Sequence, residues 1–192
     1  AKLNPEDGIH LTLMFEAMGR GELTAAFVLG ENPADSEADI DQARKLLSGL
    51  DCLVVQDIFM TRTAELADVV FPASVAWAES DGTVTSSERR VQRTRPAVTP
   101  PGQARHDIDI MHELGKRMGV ELGTTEPEAL WDELRSLSPM HGGMSYERLE
   151  AEGGLQWPCP DLDHPGSPFL HGWLWEDDLG GRGPAPFSVV EH

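Results

Sequence analysis

Lysine is almost missing from this chain. Three lysines stand among 192 residues, and 15 basic side chains face 33 acidic ones, for a net charge of −18. That balance excludes nucleic-acid backbones and anionic membrane surfaces as partners, because both need clustered positive charge. Long apolar runs are also missing, so no membrane span is expected. No signal peptide is visible, and the cytoplasm is the expected compartment. Cysteine occurs only twice, which gives no disulfide framework. Cys52 falls inside an apolar segment, where a buried thiol is expected to act as a small hydrophobe. The glycine-rich fingerprint of dinucleotide-binding folds is absent, and so are internal repeats. The scattered histidines form no Ser-His-Asp or Cys-His arrangement. Cys159, with Asp161, Asp163 and His164 nearby, lacks the spaced Cys/His set of a metal site, so no metal ligands are expected.

The apolar fraction, 40%, suits a folded chain, and the length suits one domain or one and a part. Ala25-Ala26-Phe27-Val28-Leu29 reads as one buried strand and Cys52-Leu53-Val54-Val55 as a second. A helix from Asp39 to Gly49 lies between them. A β-α-β crossover makes the strands parallel and brings Gly30 and Gln56-Asp57 to one carboxyl edge. Open α/β sheets bind ligands at that edge. A second helix, Thr61 to Ala67, leads to a third strand at Val69-Val70-Phe71, which Pro72 ends. The fold class is therefore α/β: a Rossmann-like partial parallel sheet, β-α-β-α-β, with flanking helices and an extended Gly/Pro-rich C-terminal tail. Parallel sheets are normally covered on both faces, so three strands alone suggest a piece of a larger protein.

Local signals fill in the rest. Ile9, Leu11, Leu13, Met14, Ala17 and Met18 give a helical stripe that stops at Gly19 or Gly21. Ser36 has the form of a helix N-cap, with Asp39 completing a capping box. The acids Asp35, Glu37, Asp39 and Asp41 suit the positive end of that helix, and they would repel a pyrophosphate there. A nucleotide at this edge would place its base and ribose, not its phosphates, near the loop. Asp81-Gly82 is a hairpin signal, and Arg89 to Arg95 continues as extended chain. Further helices are expected over His106–Met118, Pro127–Leu137 and Tyr146–Ala151.

Gly30 and Gln56-Asp57 form the best candidate site. Gly30 allows close approach of a ligand to the backbone, and Asp57 can accept from a ribose diol or a base edge. The same residues could serve only the fold, Gly30 in its turn and Asp57 as a helix cap. Arg89, Arg90, Arg93, Arg95 and Arg105 cluster in an acidic chain. Their forks suit phosphate or carboxylate ligands, but ion pairing with the surplus acids is the more ordinary outcome. Asp107 opens a helix, where capping alone would explain it. Trp77, Trp131 and Trp157 read as core or interface.

Several ordered motifs resemble the molybdopterin oxidoreductases. They are Gly30-Glu31-Asn32-Pro33, Val55-Gln56-Asp57-Ile58-Phe59-Met60-Thr61-Arg62-Thr63-Ala64 and Ala67-Asp68-Val69-Val70-Phe71-Pro72-Ala73. Asp81 to Gln92 and Gly154-Leu155-Gln156-Trp157-Pro158-Cys159-Pro160 narrow the likeness to the formate dehydrogenase catalytic α subunits. Assimilatory nitrate reductases are close relatives with similar motifs. The chain departs from the pattern at Phe71, usually aliphatic, and at Ser86-Ser87, commonly Asn-Thr.

The resemblance implies a cofactor, bis(molybdopterin guanine dinucleotide) carrying Mo or W, and a [4Fe-4S] cluster in a missing N-terminal part. It implies that Gly30, Glu31, Asn32, Pro33 and Ser36 form the cofactor-binding loop after the first strand. Gln56 and Asp57 would meet ribose or guanine, Ala73 would offer backbone atoms, and Asp107 would face guanine N–H donors. It divides the chain into a cofactor-binding α/β portion (1–120), a helical extension (121–152) and an irregular tail (153–192) leading to a missing C-terminal β-barrel domain. The metal-bound cysteine or selenocysteine, its neighbouring histidine and the distal arginine are not found in these residues. The chain is thus expected to be an internal fragment of an enzyme oxidising formate to CO₂, inactive alone. Its partners would be the remaining domains of the parent subunit and electron-transfer subunits. A nitrate reductase-type member and a non-catalytic binding or assembly module are the alternatives.

Overall fold

A computed structural model describes residues 6–170, which divide into two compact units. The first comprises residues 6–82 and 94–130. Its sheet is parallel, in the order β1 (Ala25–Leu29), β2 (Cys52–Asp57), β3 (Val69–Pro72). Phe27 pairs with Val54, and Val54 with Val69. Helices α1 (Leu11–Gly19), α2 (Pro33–Ser36), α3 (Ile40–Ser48) and α4 (Arg62–Glu65) accompany it, followed by the short α5 (Ala76–Glu79) and α6 (Asp107–Arg117). Among the described residues no helix is long and apolar enough to cross a membrane.

Side-chain alternation explains where the core sits. Leu53 and Val55 point to one face and are fully buried with Ala34, Leu47 and Ala64, while Phe15, Met18, Ala26 and Val28 pack around them. The other face is only partly covered, with Gln56 buried on it, and this corrects two expectations. The strand Ala25–Leu29 is not buried throughout, since Phe27 and Leu29 are exposed, and Cys52 is exposed too. Residue type predicted an apolar strand, but burial depends on whether a second layer lies against it.

The expected caps shift as well. Ser36 ends α2 and caps nothing; the N-cap of α3 is Asp39, whose carboxylate accepts from Gln42 N–H. The expected crossover helix forms as α3 between its caps Asp39 and Gly49, and a short extra helix, α2, precedes it with Pro33 in the tolerated first turn. Thr61 caps α4 through the Ala64 N–H.

The second unit comprises residues 83–93 and 131–170. Its sheet runs β4 (Gly82–Thr85), β5 (Arg90–Thr94), β6 (Leu155–Gln156), with β6 antiparallel to β5. The expected hairpin at Asp81-Gly82 does not form, because Ala76–Glu79 is helical. The chain reverses instead at Ser86–Arg90, where Arg89 takes a left-handed φ of 68°. Arg89 donates to the carbonyls of Trp157, Ser167 and Pro168, and its guanidinium lies over the Trp157 ring. A β-strand and an arginine anchor thus organise part of a tail that composition alone made irregular. The core gathers Val91, Met144, Leu149, Leu155 and Cys159 with Trp131 of α7 (Pro127–Leu137) and Tyr146 of α8 (Tyr146–Glu152). Burial lowers the pKa of His141, whose Nδ1 pairs with Ser138 Oγ.

Two of the clustered arginines take the ordinary outcome. Arg90 pairs with Glu88, and Arg93 pairs with Glu150 while lying over the Tyr146 ring. The Cys159 thiol touches Arg148 and the His164 carbonyl, so it is packed within its own loop.

Candidate functional site

The carboxyl edge of β1–β3 opens onto a cavity of about 510 Å³. Gly30, Glu31, Asn32, Ser36, Gln56, Asp57, Ala73 and Asp107 all line it. They come from four separate segments, so parallel strand order is what assembles them. Pro33 is the exception: it is buried in the first turn of α2 and is not part of the lining.

Gly30 follows β1 at φ 65°, a conformation that favours glycine, and its N–H donates to the Gln56 carbonyl at 2.9 Å. That bond fixes the first loop to the second strand. Asp57 does not cap α4. Its Oδ1 accepts from Phe59 N–H at 2.9 Å, tightening the turn after β2, and its other oxygen has no such bond.

Gln56 and Asp107 form the floor. Gln56 is 1% exposed, and its Nε2 donates to Asp107 Oδ1 at 2.5 Å. A carboxylate only accepts, so this pairing decides the orientation of the amide. It turns Gln56 Oε1 away, leaving that oxygen buried without a partner. An unpaired buried acceptor costs about 1–3 kcal/mol unless something donates to it. Asp107 is the first residue of α6, and His106 precedes it as N-cap with no side-chain capping bond. The carboxylate therefore serves the floor, not the helix end. Ser74 Oγ and His106 Nδ1 pair at 2.8 Å beside it.

Asn32 is spent on the loop itself. Its Oδ1 accepts from both the N–H and the hydroxyl of Thr63, and its Nδ2 donates to Asp35. Arg44 also grips Asp35, at 2.6 Å, and donates to the Ala34 carbonyl. The Arg44 and Asn32 hydrogen bonds hold the Asp35 carboxyl below its ordinary pKa. The acid run that looked hostile to phosphate is thus partly neutralised within the loop.

Thr63 was not legible as a site residue. It is fully buried in α4, and its hydroxyl also accepts from Ala34 N–H at 3.1 Å. Its sequence signals are its place in the Val55–Ala64 motif and its position two residues after the Thr61 cap. Thr63→Val keeps the shape but strands the Ala34 N–H and one lone pair of Asn32. It should lower stability by about 1–3 kcal/mol. Thermal unfolding of the variant measures this, and an unchanged Tm would show that the brace is dispensable. Phe59 and Trp77, also unforeseen, line the cavity and are 72% and 69% exposed.

Residues 2–117 match the family described as molybdopterin oxidoreductase. The chain is 43% identical over 171 residues to the F420-dependent formate dehydrogenase subunit alpha of Methanocaldococcus jannaschii, covering 88% of this chain and 25% of that protein. It is 44% identical over 194 residues to the F420-dependent formate dehydrogenase 2 subunit alpha of Methanococcus maripaludis, covering 100% of this chain and 28% of that one. Formate dehydrogenase H of Escherichia coli is 38% identical over 154 residues, 80% of this chain and 21% of its own length. Among solved structures, acetylene hydratase from Pelobacter acetylenicus superimposes with a TM-score of 0.58 at 28% identity, over 76% of this chain and 20% of that one. The chain spans about a quarter of the length of the curated relatives it matches.

Proposed function

Because this chain belongs to the molybdopterin oxidoreductase family, we propose that it holds the guanosine end of a molybdopterin guanine dinucleotide in a formate dehydrogenase-type catalytic subunit. The acceptor-rich floor supports this reading above all else. Guanine carries neighbouring N–H donors on one edge. The free oxygen of Asp107 and the unpartnered Oε1 of Gln56 are acceptors in want of donors. Adenine presents a ring acceptor on the same edge, which a carboxylate repels.

The remaining residues take supporting roles. The free oxygen of Asp57 accepts from a ribose hydroxyl, and Ser36 and Glu31 meet the nucleoside from the first loop. Gly30 lets the backbone approach closely, and Ala73 offers backbone atoms. Asn32 and Pro33 act by setting the loop's shape. When bound, the cofactor, bis(molybdopterin guanine dinucleotide) with Mo or W, supplies the two-electron chemistry that takes formate to CO₂. The chain's own part is to bind and orient. The [4Fe-4S] cluster and the metal ligand belong to other parts of a longer, cytoplasmic subunit, with its own electron-transfer partners.

Nucleotide analysis tests this directly. Acid hydrolysis of the purified full-length subunit should release GMP in excess over AMP and CMP. Release of another nucleotide, or of none, would remove guanine from the reading.

A further inference from the structure

The cavity at the carboxyl edge carries charge of one sign only. Glu31, Asp57 and Asp107 line it, and among the described residues no Lys, Arg or His does. Glu31 is exposed, while Asp57 and Asp107 are half-buried. Their partners leave the charge in place. Asp57 accepts from the Phe59 N–H and Asp107 from the Gln56 amide, both neutral donors, and Glu31 has no ion pair among the described residues. Nearby basic groups are spent elsewhere. Arg44 grips Asp35, Arg62 pairs with Glu65, and the His106 ring pairs with Ser74. The Arg105 backbone bonds to Pro72 and Ser74, but the residue is exposed and outside the lining. Helix α6 begins at the cavity, yet its first turn carries Asp107 and Asp109, so its positive end is already answered. Apolar walls, among them Leu29, Ile58, Phe59 and Trp77, concentrate the field of the carboxylates within the cleft.

A phosphate group in this cleft meets repulsion that no lining residue offsets. An uncharged nucleoside meets acceptors that its N–H and O–H groups can use. We propose that the cavity is an electrostatic filter, which takes the neutral guanosine end of a ligand and turns away free guanine nucleotides, GTP above all. This selectivity rests on the guanosine reading above and deepens it. Free GTP offers the same base and ribose, so without the filter the site would be open to it. A dinucleotide withstands the repulsion because its other half is held by the rest of the longer subunit. Its doubly esterified diphosphate also carries less charge than that of GDP.

Equilibrium dialysis of the cofactor-free full-length subunit tests this, with guanosine, GMP and GTP as probes in magnesium-free buffer. Affinity should fall in that order, with GTP roughly 10-fold or more weaker than guanosine at low salt. The gap should close several-fold at about 0.5 M salt, where carboxylates and phosphates no longer feel each other across the cleft. Glu31→Gln keeps the shape of the side chain and removes one charge, so it should narrow the guanosine-to-GTP ratio by about twofold or more. GTP binding as tightly as guanosine would overturn the filter while leaving the guanine reading intact. A gap indifferent to salt, or a ratio unmoved by Glu31→Gln, would make the exclusion one of shape and overturn it equally. Failure of guanosine itself to bind would remove the guanine reading and the filter with it, so the two failures are told apart.

Discussion

Replacing Asp107 by alanine should weaken retention of guanine nucleotide roughly 10- to 100-fold in the full-length subunit. The carboxylate offers two acceptors, and one is already given to Gln56 Nε2. The other is the charged partner assigned to the base, and charge-assisted bonds are among the stronger ones. Alanine also strands the buried Gln56 amide, at a cost of about 1–3 kcal/mol. Stability and binding would then fall together. Asp107→Asn separates them, because one amide oxygen can still accept from Gln56 while the second acceptor is lost. The asparagine variant should keep its Tm and lose nucleotide. Cofactor and GMP content of the purified variants, set beside thermal unfolding, decide the matter. Full nucleotide content in both variants would remove Asp107 from the site.

Gly143→Ala should cost the second unit about 3 kcal/mol, at the upper end for overpacking. A Cβ at this position would meet the Asp161 carbonyl oxygen at 1.9 Å and Cys159 Sγ at 3.0 Å. The first obstacle is backbone, so no rotamer change relieves it. Gly143 N–H also donates to the Cys159 carbonyl at 2.8 Å, and Arg148 donates to the Gly143 carbonyl. Moving the segment to make room would break both bonds. The expected fall in Tm is roughly 6–12 °C for a chain of this size. An unshifted transition would mean that the loop carrying Cys159 and Asp161 is free to yield.

Glycine at 143 shows how unevenly the sequence could be read. Gly30 was legible because it closes an apolar strand, and its φ of 65° is what such a turn requires. Gly143 sits in no recognisable motif. Its need comes from a carbonyl eighteen positions away in the chain, and nothing local signals that distance. The same contrast holds for threonines. Thr61 before a short helix has the pattern of a cap, whereas Thr63 matters through Asn32 and Ala34 on another loop. Locally Asp107 has the place of a helix cap, and only the motif likeness turns it toward a base.

The order of the three parallel strands, and the edge at which Gly30, Gln56 and Asp57 would meet, followed from the sequence by itself. Periodicity, proline placement and crossover handedness are local or topological rules, and they leave few alternatives. Burial did not follow. Phe27, Leu29 and Cys52 are as apolar as Leu53 and Val55, yet only the latter pair is enclosed. Whether a strand residue is covered depends on which second layer reaches it. Tertiary structure alone decided that, as it decided that Gln56 would spend its amide nitrogen on Asp107 and leave its oxygen waiting for a donor.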